Sequence, residues 1–195
     1  MQRRTLLAGL GATLGAAAGA ALAVRPAVAA DSAVLDRLAE PGTHAIMRHA
    51  LAPGTGDPGT FALRDCSTQR NLDARGRAQS RATGAMLRAA GVRIDAVWSS
   101  QWCRCLDTAR LLDLGPVVEE PSLNSFFSAR HRRDEQTQAL RERLAAQPPA
   151  RTLMLVTHFV NVRALVGETA TSGEIVVFRL RDGRVRPLGT ALVPA

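Results

Sequence analysis

The chain contains no lysine and no tyrosine, and its five phenylalanines and two tryptophans make up only 4% of its 195 residues. All 25 basic residues are therefore arginine. A bias this uniform reflects genome composition before function, so the number of arginines alone does not indicate phosphate or nucleic-acid binding. Basic and aromatic residues are also not interleaved as in nucleic-acid-binding surfaces, and we expect no nucleic-acid partner.

Cysteine is scarce as well, with only Cys66, Cys103 and Cys105. An oxidising compartment would allow one disulfide and leave one thiol. Cys103 and Cys105 are too close in sequence to pair easily, so we expect Cys66 to pair with one of them. A fourth ligand and a Cys-x-x-Cys pair are missing, and the four histidines lack helical metal-ligand spacing. We therefore expect neither a metal nor another cofactor.

The first 30 residues have the three-part layout of a secretory signal. Arg3-Arg4 gives a positive start, an apolar run extends from Thr5 to Val24, and small residues at 27–30 offer a cleavage site. Arg3-Arg4 followed by Thr5-Leu6-Leu7 resembles a twin-arginine signal. An uncleaved membrane anchor is the alternative, because the apolar run is about as long as the ~20 residues that a membrane span needs. The Gly and Ala richness favours removal, so we predict a periplasmic or secreted protein without stable membrane insertion.

Residues 31–195 are long enough for one compact domain. Cleavage after residue 30 would remove three arginines and no acidic residue, so that the formal net charge of +8 would fall to +5. The remaining positive charge suits a small anionic substrate, and it also suits simple solubility.

Short apolar segments alternate with segments of helical periodicity along this domain. The predicted strands are Thr43 to Met47, Val92 to Ser99, Val117-Val118 within 116–123, and Thr152 to Thr157, followed by a hairpin of 174–180 and 184–188. The predicted helices run from Ser32 to Ala39, Asp73 to Ala90, Gln101 or Trp102 to Leu112 and Asp134 to Ala146, and helix-like sequence follows Thr157-His158 up to Val166. This alternation predicts a three-layer α/β/α sandwich with a mostly parallel central sheet.

Three of the predicted strands run directly into polar pairs. These pairs are Arg48-His49, Ser99-Ser100 shortly before Arg104, and Thr157-His158. Ligands of open parallel sheets bind at the carboxyl edge of the strands. We therefore expect two histidines and two arginines to converge on one crevice.

These segments together resemble the histidine phosphatase superfamily, which includes the phosphoglycerate mutases. Met47-Arg48-His49-Ala50 is similar to its Arg-His-Gly signature, the segment from Ser99 to Ala109 to its second block, and Val156-Thr157-His158 to its third. Gln69-Arg70-Asn71-Leu72 and Gly76-Arg77 fit the stretch before the first long helix. The resemblance spans about residues 43 to 180 and implies a phosphoglycerate mutase-like fold.

The resemblance implies a role for each residue of the crevice. His49 would attack phosphorus through an unprotonated ring nitrogen and form a phosphohistidine. Arg48 and Arg104 carry planar guanidinium groups that can each hold two phosphate oxygens. His158 would donate to the same oxygens, and water would then hydrolyse the intermediate.

The general acid departs from the family pattern. Leu123-Asn124-Ser125 occupies the place where a Glu or Asp is expected, and Phe159 rather than an Asp follows the histidine of the third block. Asp57 and Glu120 are the two candidates for the catalytic acid.

Two residues of the stretch before the first long helix complete the predicted site. Arg70 and Asn71 are further candidates for substrate binding.

These features predict an exported phosphomonoester hydrolase that acts on a small phosphorylated substrate without a metal. One alternative is a catalytically idle protein of the same fold that binds phosphate or a polyanion. Another is a phosphoglycerate mutase-type phosphotransferase, which export and the short chain disfavour. The sequence does not indicate the natural substrate or the oligomeric state.

Overall fold

The computed structural model describes residues 33–195, so the predicted signal and the predicted helix start at Ser32 lie outside the described residues. The strands are β1 Thr43–Arg48, β2 Ala96–Ser99, β3 Val117–Glu119, β4 Leu153–Thr157, β5 Ile175–Arg181 and β6 Arg184–Ala191. The helices are α1 Ala74–Ala89, α2 Cys103–Leu112, α3 Arg133–Ala145 and α4 Phe159–Val166. Shorter 3-10 turns cover Arg37–Ala39, Cys66–Thr68, Pro121–Leu123 and Arg130–Arg132.

All six strands form one sheet in the order β3-β2-β4-β1-β5-β6. The pairs β3–β2, β2–β4 and β4–β1 are parallel, whereas β5 is antiparallel to both β1 and β6. The parallel pairs follow from helical crossovers, while β5 and β6 are joined by a tight hairpin. Asp182 and Gly183 at its tip both have positive φ, as a two-residue hairpin turn requires. The prediction of a mostly parallel sheet is confirmed.

Helices cover both faces of this sheet. One face packs against α1 and α2, and the other against α3 and α4. Successive residues of β4 point to opposite sides, so Met154 and Val156 join the first core while Leu153 and Leu155 join the second. Because both faces of the central strands are buried, these strands consist of continuous apolar runs. The predicted three-layer sandwich is confirmed.

Helix α1 packs unusually close to its neighbours. The Asp73 carboxylate caps it by accepting from the Gly76 N–H at 2.7 Å. A Cβ atom at Gly84 would lie only 1.9 Å from the backbone oxygen of Leu112, and one at Gly76 only 1.9 Å from that of Leu51. The small residues of α1 therefore allow close backbone contact with α2 and with the segment that follows β1.

Several predicted boundaries differ from the structure, among them the end of β6, which lies at Ala191 rather than at residue 188. Strand β2 begins at Ala96 rather than Val92, and α2 begins at Cys103 rather than Gln101 or Trp102. The Gln101 N–H is instead bound at 2.8 Å by the side-chain oxygen of Asn124, which holds this residue outside the helix. None of the helices in residues 33–195 combines the length and the apolar composition needed to cross a bilayer.

Candidate active site

A cleft of about 590 Å³ opens at the carboxyl ends of β1 and β4 and beside the first turn of α2. Its lining includes the four residues that the sequence predicts to converge, namely Arg48, His49, Arg104 and His158. Cavities of this size are typical of small-molecule sites.

Backbone pairing places the histidines side by side. Arg48 of β1 is in register with Thr157 of β4. The ladder continues past the strand ends, because the His49 N–H donates to the Thr157 carbonyl at 2.8 Å and the Ser100 N–H to the Val156 carbonyl at 2.9 Å. The rings of His49 and His158 lie edge to face with 5.5 Å between centroids. Sheet register, rather than proximity in sequence, thus builds the site.

The contacts of His49 determine its tautomer. Nδ1 lies 2.8 Å from the Ala50 carbonyl oxygen, which can only accept, so Nδ1 carries the proton. Nε2 lies 3.2 Å from Arg104 Nε, which can only donate, so Nε2 carries the lone pair. Burial, reinforced by the charge of Arg104, holds the pKa of His49 well below its usual value. The imidazole is therefore neutral and has a free electron pair at Nε2.

His158 is also buried and neutral. Burial and then the neighbouring His49 and Arg104 hold its pKa well below the usual value. Its Nε2 lies 2.9 Å from Ser100 Oγ, which is also 3.2 Å from the side-chain oxygen of Asn124. Asn124 occupies the place where the sequence comparison expects an acid, and here its side chain positions the serine that holds His158.

Arg48 lines the cleft, and its guanidinium group is partly buried. Within the described part of the chain, its Nε atom is inaccessible to solvent and has no hydrogen-bond partner. Burial and the nearby charge of Arg104 lower the pKa of Arg48. A bound anion would therefore stabilise the charge of this side chain.

Arg104 is only 4% exposed and is held by Asp57. Nη1 donates to Oδ1 at 2.7 Å and Nη2 to Oδ2 at 3.0 Å, so that the carboxylate occupies the two N–H groups at the guanidinium edge that phosphate would use. The Trp102 indole N–H donates to Asp57 Oδ2 at 3.1 Å. Burial alone would raise the pKa of Asp57, but these bonds and the Arg104 charge lower it. Asp57 is therefore ionised in this state.

Arg70 lines the same cleft, as the sequence predicts. Its side chain donates to the carbonyls of Gly56, at 2.9 Å, and Ala52, while its backbone N–H donates to Asp57 at 3.1 Å. Arg70 thus fixes the loop that carries Asp57. Burial and the charge of Arg104 lower its pKa.

Two predicted site residues lie outside the cleft. Asn71 is exposed, and its amide donates to the carbonyls of Cys66 and Gln69 at 2.7 and 3.2 Å, so it stabilises a turn. Glu120 accepts from the Ser122 backbone and hydroxyl and from Arg143 Nε at 3.0 Å. Neither residue is therefore among those that line the cleft, and the contacts above occupy both side chains.

Cys66 and Cys103 form a disulfide. The alternative partner, Cys105, is a buried thiol whose pKa burial raises to about 12. Cys103 begins α2, so the bond links the loop before α1 to the helix turn that carries Arg104. The side-chain oxygen of Gln69 reinforces this link by accepting from the Cys103 N–H at 2.9 Å.

The sequence interpretation assigned no role to the aromatic residues of the cleft. Four of them line it: Phe61, Trp102, Phe127 and Phe159. Trp102 lies within the second family-like block and Phe159 directly after the third. This position in the sequence is the feature that could have indicated that they line the cleft. Phe61 and Phe127 belong to irregular segments, for which no periodic pattern exists.

Charge in the cleft is strongly unbalanced. Arg48, Arg70, Arg104 and Arg132 line it, whereas Asp57 is the only acidic residue among the described lining residues. No group of three or more His, Cys, Asp or Glu side chains within residues 33–195 is placed to hold a metal ion. The donors present are those that suit a phosphate-like anion.

Comparison with known proteins adds family information. A sequence model of the histidine phosphatase superfamily (branch 1) matches residues 46–128, which include the first two predicted blocks. A search of curated protein sequences found no significant match.

Solved structures share the fold. The protein histidine phosphatase SixA complexed with tungstate has 21% identity and a TM-score of 0.55, covering 77% of this chain and 96% of its own. A phosphoserine phosphatase mutant from Entamoeba histolytica, in complex with phosphoserine, has 13% identity and a TM-score of 0.56, with coverages of 76% and 95%. The mycobacterial glucosyl-3-phosphoglycerate phosphatase complexed with VO3 has 17% identity and a TM-score of 0.54, with coverages of 74% and 96%. The resemblance to the superfamily and the predicted fold class are confirmed.

Proposed function

We propose that this chain, with the fold and the sequence blocks of the histidine phosphatase superfamily, is an exported phosphomonoester hydrolase that acts through a phosphohistidine without a metal. The observation that carries the proposal is the state of His49. Its neutral ring has a lone pair on Nε2, beside the guanidinium groups of Arg48 and Arg104. A nucleophile flanked by anion-binding donors is the arrangement that phosphoryl transfer requires.

The reaction has two steps. His49 Nε2 attacks phosphorus, the bond between phosphorus and the ester oxygen breaks, and the departing oxygen receives a proton. Water then attacks the phosphohistidine, the P–N bond breaks, and inorganic phosphate and neutral His49 are formed. The Ala50 carbonyl accepts from Nδ1–H throughout and stabilises the positive charge that the ring gains in the first step.

The remaining residues stabilise the transferred group. Arg48 and Arg104 neutralise its oxygens. If the Ser100 hydroxyl turns from Asn124 Oδ1 and donates its hydrogen bond to His158 Nε2, the ring proton of His158 lies on Nδ1, and we assign this N–H to a phosphoryl oxygen.

Asp57 is the proton donor in this proposal. The free carboxylate is ionised because Arg104 holds it, so it must first gain a proton. A phosphate dianion competes for the same two N–H groups and brings negative charge close to Asp57, which raises the pKa of that carboxyl. Substrate binding would therefore protonate Asp57 beside the leaving oxygen.

Export is supported by two features. Residues 1–30 have the layout of a secretory signal. The Cys66–Cys103 bond fits an oxidising compartment, where disulfides persist.

The decisive test is hydrolysis of p-nitrophenyl phosphate by the purified protein in the presence of EDTA. We expect metal-independent turnover, and His49→Ala should lower it by a factor on the order of 10³ or more. His131→Ala, at an exposed histidine outside the cleft lining, is the matched control and should keep wild-type activity. Activity that needs a metal or survives His49→Ala would refute the mechanism. Phosphate binding without turnover would favour the idle binding protein.

The acid is tested with esters whose leaving groups differ in pKa. Asp57→Asn should slow esters of weakly acidic alcohols much more than p-nitrophenyl phosphate, because only the former need a proton donor. Glu120→Gln is the control and should affect both esters equally. Equal losses for both esters in Asp57→Asn would assign Asp57 to the positioning of Arg104 alone.

A further inference from the structure

The few aromatic side chains of this protein are concentrated at one place. Of five phenylalanines and two tryptophans, four line the cleft. Phe127 and Phe159 are 36% and 39% exposed, which makes them two of the four large hydrophobic side chains that are exposed in the described part of the chain. Exposed apolar surface costs free energy, so its concentration beside a site calls for a functional explanation.

These residues form two aromatic pairs. Phe61 stacks on Trp102 with 4.9 Å between ring centroids and an interplanar angle of 22°. Phe127 packs edge to face on Phe159 with 5.8 Å between centroids. The members of each pair come from different segments, so the fold, rather than one local turn, assembles them.

Both aromatic pairs adjoin the residues assigned to phosphate. The Trp102 ring lies 5.3 Å from the His158 ring, and the Arg48 guanidinium carbon lies 5.6 Å from the Phe159 ring centroid. A group attached to a phosphate bound by Arg48 and His158 would therefore extend directly into the space beside Trp102 or Phe159.

We infer that the substrates are phosphomonoesters whose leaving group carries a planar aromatic ring. This inference rests on the proposed function and names its substrate class. Arginines and histidines hold the phosphate, while the aromatic pairs offer faces and edges to the ring of the leaving group. Aromatic contacts of this kind contribute about 0.5–1.5 kcal/mol beyond simple burial of apolar area. The cleft volume of about 590 Å³ accommodates both parts of such a molecule.

A saturated ring of the same size separates this inference from general hydrophobicity. Cyclohexyl groups expose more apolar surface than phenyl groups, so burial alone favours the saturated ring. They lack the π face and the positive edge that pair with another aromatic ring. A preference for the phenyl group would therefore report on aromatic recognition.

The experiment measures the Kd values of benzylphosphonate and cyclohexylmethylphosphonate by calorimetry on the full chain. These phosphonates are not hydrolysed, so the result does not depend on turnover and is distinct from the p-nitrophenyl phosphate test. We expect benzylphosphonate to bind about fivefold more tightly. Phe127→Leu should reduce this ratio toward one, whereas Leu192→Ala, at a side chain that is 38% exposed outside the cleft lining, should leave it unchanged.

Equal or tighter binding of the cyclohexyl compound to the wild-type protein would overturn the inference, even if the protein hydrolyses phosphate esters. A ratio that persists in Phe127→Leu and in Phe159→Leu would also overturn it. Thermal unfolding of each variant, measured in parallel, shows whether the variant is folded. If a variant is not folded, the ratio of the two Kd values for the wild-type protein alone tests the inference.

Discussion

The two halves of the cleft are held in place by different kinds of contact. The strand-end half, consisting of Arg48, His49, Ser100 and His158, follows directly from the parallel ladder of β1, β4 and β2. The loop half, residues 52–72, is irregular and depends on the Asp57–Arg104 ion pair, the Cys66–Cys103 bond and the backbone contacts of Arg70. The nucleophile and most of the phosphate contacts that we propose belong to the first half, whereas the second half contributes the proposed proton donor Asp57 and the aromatic side chain of Phe61.

Arg104 joins the two halves, and its replacement should have a large effect. Its Nε contacts His49 and its two terminal nitrogens contact Asp57. A lysine has one charged nitrogen and cannot make both sets of bonds. We expect Arg104→Lys to lower kcat/KM for p-nitrophenyl phosphate by about 100-fold or more. Arg110→Lys, on the exposed side of the same helix, should have little effect, and a similar loss there would contradict the assignment.

Loss of the disulfide should affect the stability of the loop half. The bond closes a separation of 37 residues, and bonds of this kind typically stabilise by about 2–4 kcal/mol. Urea unfolding of a Cys66→Ser, Cys103→Ser double variant should show a decrease of this size. Reduction of the wild-type protein should reproduce the decrease, while reduction of the double variant should change nothing further. A wild-type protein insensitive to reduction would contradict the expected role of the bond.

The closely packed helix α1 should tolerate an added methyl group less well than the loop half does. Gly84→Ala would place a Cβ atom 1.9 Å from the Leu112 carbonyl oxygen, whereas Gly59→Ala would meet no atom within 4 Å. We expect thermal or urea unfolding to show a loss of about 1–3 kcal/mol for the first variant. The second should be close to neutral, and equal losses would mean that the loop half is packed as tightly as α1.

A smaller effect concerns pH and the buried histidine of β1, His44. Burial lowers the pKa of His44 to about 4, below an unfolded value near ~6.5. As the pH falls, the unfolded chain gains this proton first, so stability is present above pH ~6.5 and is lost below it. Between pH 7 and 6 this histidine should cost about 0.7 kcal/mol. Urea unfolding at pH 7 and pH 6 gives the free energy of unfolding at each pH. The difference between the two values should be smaller by this amount in His44→Gln than in the wild type. An equal difference in both proteins would contradict burial of a neutral ring.

The same contrast explains what the sequence predicts well. Arg48-His49 and Thr157-His158 follow apolar strands, and the parallel sheet brings strand ends together whatever their separation in the chain. The sandwich, its mostly parallel sheet and the convergence of these residues were therefore accessible from the sequence.

The loop half was not accessible in this way. Whether Asp57 or Glu120 enters the cleft depends on side-chain contacts, with Arg104 in one case and with Ser122 and Arg143 in the other. Choosing between Cys103 and Cys105 likewise depends on which side of α2 faces the loop. Such contacts between side chains of irregular segments leave no periodic pattern of residues in the sequence.

The ion pair between the Asp57 carboxylate and Arg104 has a kinetic consequence. On the proposed function, inorganic phosphate is both the product and a ligand of the arginines, and a site with four arginines would be expected to release it slowly. Asp57 is attached to the protein and returns to Arg104 as phosphate departs, so it acts as an internal competitor at high local concentration. The ion pair would thus weaken product inhibition and shorten the time that each molecule of phosphate occupies the cleft.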